Sequence, residues 1–543
     1  MRNFKKRLIS LISVAALSTT ALIAVPNTAS ANPVCTNKVI LTECVGLTSD
    51  GAQYIFQVPA KFGGTLFLFS HGYRYPIDIP AAIPRIGGYT VLKSPQPAPG
   101  QNAAQVVEVA TSLLGKGYAV GGSGFANQGW NADSGVKTNV ELIGIIKKQF
   151  PTVKKVVTWG ESLGAFITQA VAEKNPELVD SVGLLCPAAG SVEASLKMAG
   201  DALWGIKTLF DPSIKGGNYS AGAAGVGEAL SDIVKVLTVA GSLQAAFGAN
   251  PLQPAWPATS KVPAAMQAGI PSRSALVLVA LMSGVPTKSA SFDGATGPGP
   301  ASGADAIRFA SGLSPAFGAL ENVTNAAILG VLATWDVESQ VGGAVFDNNK
   351  TNYAAQLGDD LYSFGSALSG VDATNMMLAY LAAAPKATAN TAAVTKMRAL
   401  VSHKGIFSDP TIVLGAEADP VTPAGNAQWL VNKAVENYLA NAKNKNSKLA
   451  STTRNNVLPL WQLTPSNYTK FNGATPATLT GTNGTGHCTT TTKQYLAIAD
   501  MLAYAAENGT LPPAGMTKTK ARKAGGLTYD PDFSASLLKF YGN

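Results

Sequence analysis

The chain has 543 residues, too many for one minimal core and enough for a catalytic domain carrying a large insertion. Only 13% of residues are charged, the formal net charge is +9, and no basic stripe with interleaved aromatics occurs, which argues against a nucleic-acid protein. Three scattered histidines and four cysteines leave no ligand set at recognised spacing, so neither a metal nor another cofactor is expected.

Residues 1–31 read as a secretory signal peptide. Arg2, Lys5, Lys6 and Arg7 form a basic start, Leu8 to Val25 an apolar run, and Ala29-Ser30-Ala31 a small-residue cleavage site. An uncleaved anchor fits less well, because serines and threonines dilute the run and no stop-transfer pattern follows; no stable membrane insertion is expected. Losing four basic and no acidic residues takes the net charge from +9 to +5. The expected location is outside the cell, or the periplasm in a Gram-negative source. Four cysteines in an exported chain suggest two disulfides. Cys35 and Cys44 bracket a short segment and invite a local hairpin bridge, leaving Cys186 and Cys488 as the hypothetical second pair.

From Val39 to Cys186 strand and helix patterns alternate. Strands are expected at Val39–Val45, Tyr54–Pro59, Thr65–Ser70, Tyr118–Gly122, Val153–Trp159 and Ser181–Cys186, with helices at Ala103–Leu114, Gly135–Phe150 and Leu163–Asn175. Repeated strand–helix units imply an α/β fold with a mostly parallel sheet covered on both faces. Roughly Ser191 to Ser402 is alanine- and leucine-rich, with helices at Ala194–Phe210, Val226–Phe247, Ser272–Met282, Ala304–Trp335, Tyr353–Leu368 and Met376–Ala384. This stretch reads as a helical cap over the sheet's carboxyl edge, where open α/β sheets bind ligands. Strand and helix then resume at Thr411–Gly415, Asn426–Asn441, Val457–Leu463 and Thr490–Glu507. The organisation is thus a leader at 1–31, a core first part at 32–190, a cap at 191–402, a core second part at 403–510 and a surface tail at 511–543.

Gly160-Glu161-Ser162-Leu163-Gly164 lies between a strand and a helix. A serine in so tight a turn needs small neighbours, which the two glycines supply, and the helix start adds N–H groups that favour developing negative charge. A serine hydroxyl also needs a base held by a carboxylate. His487, in the loop Gly484-Thr485-Gly486-His487-Cys488, suits the base. His403 reads as an ordinary surface or capping histidine. Asp419, just past a strand and followed by Pro420, suits the acid, with Glu417 its rival in the same loop.

These features together resemble the α/β-hydrolase superfamily over about residues 39–190 and 405–507: a His71-Gly72 pair after an early strand, Gly-x-Ser-x-Gly after a later one, and the order Ser162, Asp419, His487. The resemblance implies an oxyanion hole from the backbone N–H groups of Tyr73 and Leu163, and a structural role for His71. Asp419-Pro-Val-Thr-Pro423 is similar to the acid segment of secreted prolyl and tripeptidyl aminopeptidases. His487-Cys488 resembles the tannase and feruloyl esterase pattern, in which that cysteine bonds one beside the nucleophile. Here Glu161 occupies that position, with Cys186 as a substitute. Trp130 is a candidate for the substrate wall or for plain packing.

An apolar cap suggests a carboxylic ester, small or polymeric, as the substrate. A peptidase trimming N-termini needs acidic residues for the amine; Glu228, Asp305, Glu321, Asp336 and Glu338 form no obvious pair and are expected to be solvent-facing helix charges. A non-catalytic surface protein on the same scaffold is the third reading.

Overall fold

The computed structural model describes residues 32–297, 303–443, 456–472, 475–476 and 481–541; the expected leader at 1–31 lies outside them. Nine strands form one sheet: β1 (Val34–Asn37), β2 (Leu41–Leu47), β3 (Gln53–Pro59), β4 (Thr65–Ser70), β5 (Ala119–Ser123), β6 (Lys155–Glu161), β7 (Ser181–Leu185), β8 (Thr411–Ala416) and β9 (Val457–Gln462). Their order is β1-β2-β3-β5-β4-β6-β7-β8-β9. The first three run antiparallel and β5 to β9 pair in parallel. The near-continuous apolar strands β4 and β8 are buried on both sides, as parallel strands under two helical layers must be.

The strand expected at Val39–Val45 starts at Leu41, and β1, absent from the sequence reading, precedes it. Lys38 to Ile40 form the turn of a β1–β2 hairpin, with Val39 wholly exposed, and Cys35 faces Cys44 across the ladder, disulfide-bonded to it. Helix α1 (Ala103–Gly115) and the helix Thr492–Asn508 cover one face of the sheet. Helices α2 (Ala132–Gln149), α3 (Leu163–Lys174) and Ala424–Lys443 cover the other.

Because β5 inserts between β3 and β4 while β6 lies beyond β4, the chain reverses its direction of winding at β4. Loops leaving β4 and β6 therefore diverge and open a crevice at the carboxyl edge. Above it pack α4 (Val192–Leu209), α5 (Gly222–Ala249), α6 (Ala264–Gly269), α7 (Ser272–Ser283) and α8 (Ala304–Val341), with a core of their own that includes Leu203, Ile233, Phe247, Leu278, Phe317 and Val331. Arg273 is buried there, its guanidinium donating to the carbonyls of Gly312 and Ala367. By length and composition α5 and the Phe309–Val341 stretch of α8 could cross a membrane; the apolar window of α8 is 78% buried within the protein and that of α5 39%.

One cap helix differs from expectation. The stretch expected as a single helix over Tyr353–Leu368 forms two short ones, Tyr353–Leu357 and Asp360–Ser363, because Gly358 turns the backbone at φ 50°. Helices Thr391–Ala399 and Ala514–Ala524 have no counterpart in the sequence reading. The tail does more than lie on the surface: Thr528 exchanges backbone hydrogen bonds of 2.8 and 2.9 Å with Trp461 on the edge strand β9.

Candidate active site

Ser162 sits between β6 and α3 with φ 55° and ψ −122°, a backbone state that costs a non-glycine residue about 1–3 kcal/mol. The surroundings hold it there. Its N–H donates to the Leu185 carbonyl at 3.0 Å, and its own carbonyl accepts from Ala165 and Phe166 of the helix. The flanking glycines are required by contact rather than by dihedral angle. A Cβ on Gly160 would meet the Gly164 carbonyl at 2.4 Å, and one on Gly164 would meet the carbonyl oxygen of Ser70 at 2.0 Å.

The three distant side chains converge. His487 Nε2 is 2.9 Å from Ser162 Oγ, and His487 Nδ1 is 2.9 and 3.0 Å from the two carboxylate oxygens of Asp419. Asp419 is fully buried, and its Oδ1 accepts from the N–H groups of Val421 and Thr422 at 2.8 and 2.9 Å. Those bonds fix the carboxylate's orientation, so the imidazole proton on Nδ1 points at it and Nε2 is left to accept from the serine. Burial alone would lower the His487 pKa; the Asp419 carboxylate, with Glu161 behind it, outweighs burial and raises it above 6.5. The rival Glu417 is turned away from the imidazole, paired with Lys288 and accepting from Thr464.

Cys186, just past β7, is disulfide-bonded to Cys488, which clamps the residue beside His487 to the sheet's carboxyl edge. Thr422 Oγ1 donates to the Cys186 carbonyl at 2.9 Å, so the loop carrying the acid is tied to the same point. Among the described residues, the His/Cys/Asp/Glu group close enough to hold a metal is Asp419, His487 and Cys488, and each is already engaged in these bonds.

His71 and His403 stand apart from this chain of contacts. His71 is buried against Phe125, its Nδ1 2.7 Å from the Gly72 carbonyl, and burial with Arg74 nearby pushes its pKa down to about 3. His403 is not at the surface. It packs between Phe166 and Trp429, its Nε2 accepts from Gly190 N–H at 3.1 Å, and burial pushes it down to about 3. Both are neutral packing groups.

Tyr73, Leu163 and Trp130 line one cavity with Ser162, about 70 Å³ in volume and otherwise walled mostly by apolar side chains of α4 and α8 and by the Pro420–Thr422 loop. As the first residue of α3, Leu163 has an N–H without an intrahelical acceptor. Trp130 is buried edge-on to Phe166. On its other side Ser162 faces a larger cleft of about 460 Å³, which His487, Glu161, Gln101 and Arg85 also line.

Two acidic residues expected in solvent are buried. Asp336 of α8 accepts from Trp130 N–H at 2.6 Å and from the Tyr73 hydroxyl at 3.2 Å, binding the cap to both loops beside the serine. Glu338 accepts from the N–H groups of Asn218 and Tyr219, each at 2.9 Å. Glu228 is paired with Lys215, and Glu321 lies near Ser291; the side chain of Asp305 is outside the described set. Glu161 is buried too. It accepts from the Tyr495 hydroxyl, and burial, opposed by that bond and by His487, raises its pKa to about 7. The sequence carries no signal for the roles of Asp336, Glu338 or Thr422, since each acts on backbone groups remote in the chain.

No family profile and no curated protein sequence matches the chain. Among solved structures, a feruloyl esterase B from Aspergillus oryzae is similar at 10% identity and TM-score 0.37, over 88% of this chain and 82% of its own. A rice cell wall degrading esterase from Xanthomonas oryzae is similar at 12% identity and TM-score 0.28, over 78% and 82%. An esterase of Pyrococcus furiosus is similar at 15% identity and TM-score 0.21; the chain spans 62% of that protein's length, over 31% of its own. At such values the fold rests on strand order, not on likeness. With an antiparallel start, a reversal at β4, a helical layer on each face and the strand–turn–helix serine after β6, the chain has the α/β-hydrolase fold.

Proposed function

We propose that the protein is an exported serine hydrolase that cleaves carboxylic esters through Ser162, His487 and Asp419. One observation carries the reading: an unbroken line of contacts near 2.9 Å from hydroxyl to imidazole to buried carboxylate, at the mouth of an apolar cavity. Ser162 Oγ attacks the ester carbonyl, and His487 Nε2 takes the hydroxyl proton. The negative charge that gathers on the carbonyl oxygen is met by the N–H groups of Leu163 and Tyr73. The C–O bond to the alcohol then breaks as the imidazolium returns its proton to the departing oxygen, leaving the acyl group on Ser162. Water repeats the sequence, forming the carboxylic acid and restoring the hydroxyl.

Peptide cleavage is less well supported, because an exopeptidase needs a carboxylate free to hold the substrate's amine. Glu228, Asp336 and Glu338 are committed to other groups, and no acidic residue lines the apolar cavity among the described residues. Two disulfides support an oxidising compartment, and helices α4 and α8 over the serine support the reading of 191–402 as a cap.

The test is turnover of p-nitrophenyl acetate and butyrate against aminoacyl and tripeptidyl anilides, with Ser162→Ala as control. Ester turnover is expected, with a loss of at least about 10⁴-fold in the variant and no change in melting behaviour. Anilide cleavage without ester cleavage would replace this reading by the peptidase one, and inertness toward both by the non-catalytic one.

A further inference from the structure

We propose that the preferred substrate is a short acyl ester, two to four carbons in the acid, of a bulky hydroxyl-bearing alcohol such as a sugar. The inference rests on the hydrolase reading above and comes from the two unequal cavities that meet at Ser162.

The imidazole decides which half of the ester goes where. Protonated His487 must hand its proton to the departing oxygen, so the alcohol lies on the His487 side and the acyl chain on the other. His487 lines the larger cleft only. The acyl chain is therefore directed into the cavity walled by Trp130, Leu196, Met198, Ala326, Leu329 and Ala333.

That cavity measures about 70 Å³. It is under half the volume of an apolar protein cavity of roughly 150 Å³ known to take up a benzene ring. On the order of two or three carbons fit beyond the carbonyl; an octanoyl chain or a cinnamoyl ring does not. The cavity's far wall is made by α4 and α8, which touch where Ala199 meets Gly330 so closely that a Cβ on the glycine would stand 2.7 Å from the alanine Cβ. Its near wall is made by Tyr73, Trp130 and the Pro420–Thr422 loop.

The other cleft, at about 460 Å³, is wider and more polar, with Arg85, Gln101, Asn325 and Tyr75 in its lining. Exposed amide and guanidinium groups beside an aromatic ring offer hydrogen-bond partners to a large alcohol rich in hydroxyls, whereas a small apolar alcohol would gain nothing from them.

Two substrate series test this on the full exported protein. The first holds the leaving group fixed, as p-nitrophenyl acetate, butyrate, octanoate and cinnamate. The expected kcat/KM for butyrate exceeds that for octanoate by about 100-fold or more, since each methylene that no longer fits costs roughly tenfold. Met198→Ala is expected to raise the octanoate-to-butyrate ratio about tenfold; should that variant fail to fold, the wild-type profile carries the test alone. The second series compares acetate release from a peracetylated monosaccharide and from ethyl acetate, with the sugar expected to be at least about tenfold the better substrate. Octanoate or cinnamate turned over as well as butyrate, or ethyl acetate as well as the sugar ester, overturns the inference. Labelling of Ser162 by a small fluorophosphonate separates the two levels. A labelled enzyme with the wrong profile defeats this inference only, whereas no labelling and no ester turnover defeats the hydrolase reading and this one with it.

Discussion

The sheet edge and the cap hold their functional groups by opposite means. Around Ser162 the backbones themselves touch, so the residue types are dictated locally: Gly160 and Gly164 are the residues that fit, and Ser162 keeps its left-handed φ because both sides grip it. In the cap, helices pack mainly through apolar side chains, with close approach at single glycines such as Gly318 and Gly330, and the loops between them are held by buried carboxylates on distant backbone N–H groups. Asp232 takes those of Lys215 and Gly216, and Glu338 those of Asn218 and Tyr219. A site built from close backbones tolerates almost no substitution and can be read from a short motif. A roof built from side chains on backbone tolerates many substitutions and leaves no motif.

Gly164→Ala is the sharpest test of that contrast. The added Cβ would lie 2.0 Å from the Ser70 oxygen and 2.6 Å from that of His71, so the end of β4 must move, and with it the loop bearing Tyr73. A stability loss of about 3 kcal/mol or more is expected, with ester turnover down at least about 100-fold, read by denaturant melts and initial rates. A near-normal enzyme would mean that the edge is softer than the contacts imply.

Where the two regions join, the expected effect is smaller. Asp336→Ala strips the acceptor from the buried Trp130 N–H and the partly buried Tyr73 hydroxyl, and is expected to cost about 1–3 kcal/mol. Asp336→Asn keeps an acceptor oxygen and, with a pKa that burial raises in the aspartate, should stay within about 1 kcal/mol of the parent. Equal losses in the two variants would show that the charge, rather than the acceptor, ties the cap down.

The same contrast explains what was legible in the sequence. The alternating strands from Gln53 to Leu185 and the serine turn could be read because buried parallel strands and tight turns constrain residue type locally. Asp419 and His487 were legible as an acid and a base at strand and loop ends, because a serine nucleophile needs both and the chain has few histidines. Three kinds of feature were hidden. Gly358 breaks a helix whose apolar pattern runs on regardless. Asp336 and Glu338 read as surface charges because the N–H groups of Trp130, Asn218 and Tyr219 that they serve lie more than 100 residues away. His403 reads as a surface residue because nothing near it in sequence announces Phe166 and Trp429.

Within the sheet edge, Glu161 accepts from the Tyr495 hydroxyl and also leans on His487 through its charge. The base works when neutral, so its raised pKa puts the acid limb of kcat/KM above pH 6.5, with activity falling as pH drops through that value. Glu161→Gln keeps an oxygen for the Tyr495 hydroxyl and removes the charge that helps hold the proton on His487. The limb is expected to move to lower pH by about half a unit, because Glu161, with a pKa raised to about 7, is itself partly protonated there. A shift to higher pH would mean that the carboxyl acts on the imidazole by some route other than charge.

The smallest effect belongs to the cap's outer surface. Gly241 lies in α5 on an exposed face, and a Cβ built on it meets nothing within 4 Å. Helical glycine is costly because the unfolded chain loses more freedom there than alanine does, so Gly241→Ala should stabilise by about 0.5–1 kcal/mol and leave turnover unchanged. The sign matters more than the size. Helix α5 is the more exposed of the two long apolar cap helices, with 39% of its apolar window buried against 78% for α8. A gain in melting stability means that this face is open to water in the folded protein, as side chains on backbone would allow. A loss means that something sits against the glycine on this face, as it does against Gly318 and Gly330 elsewhere in the cap.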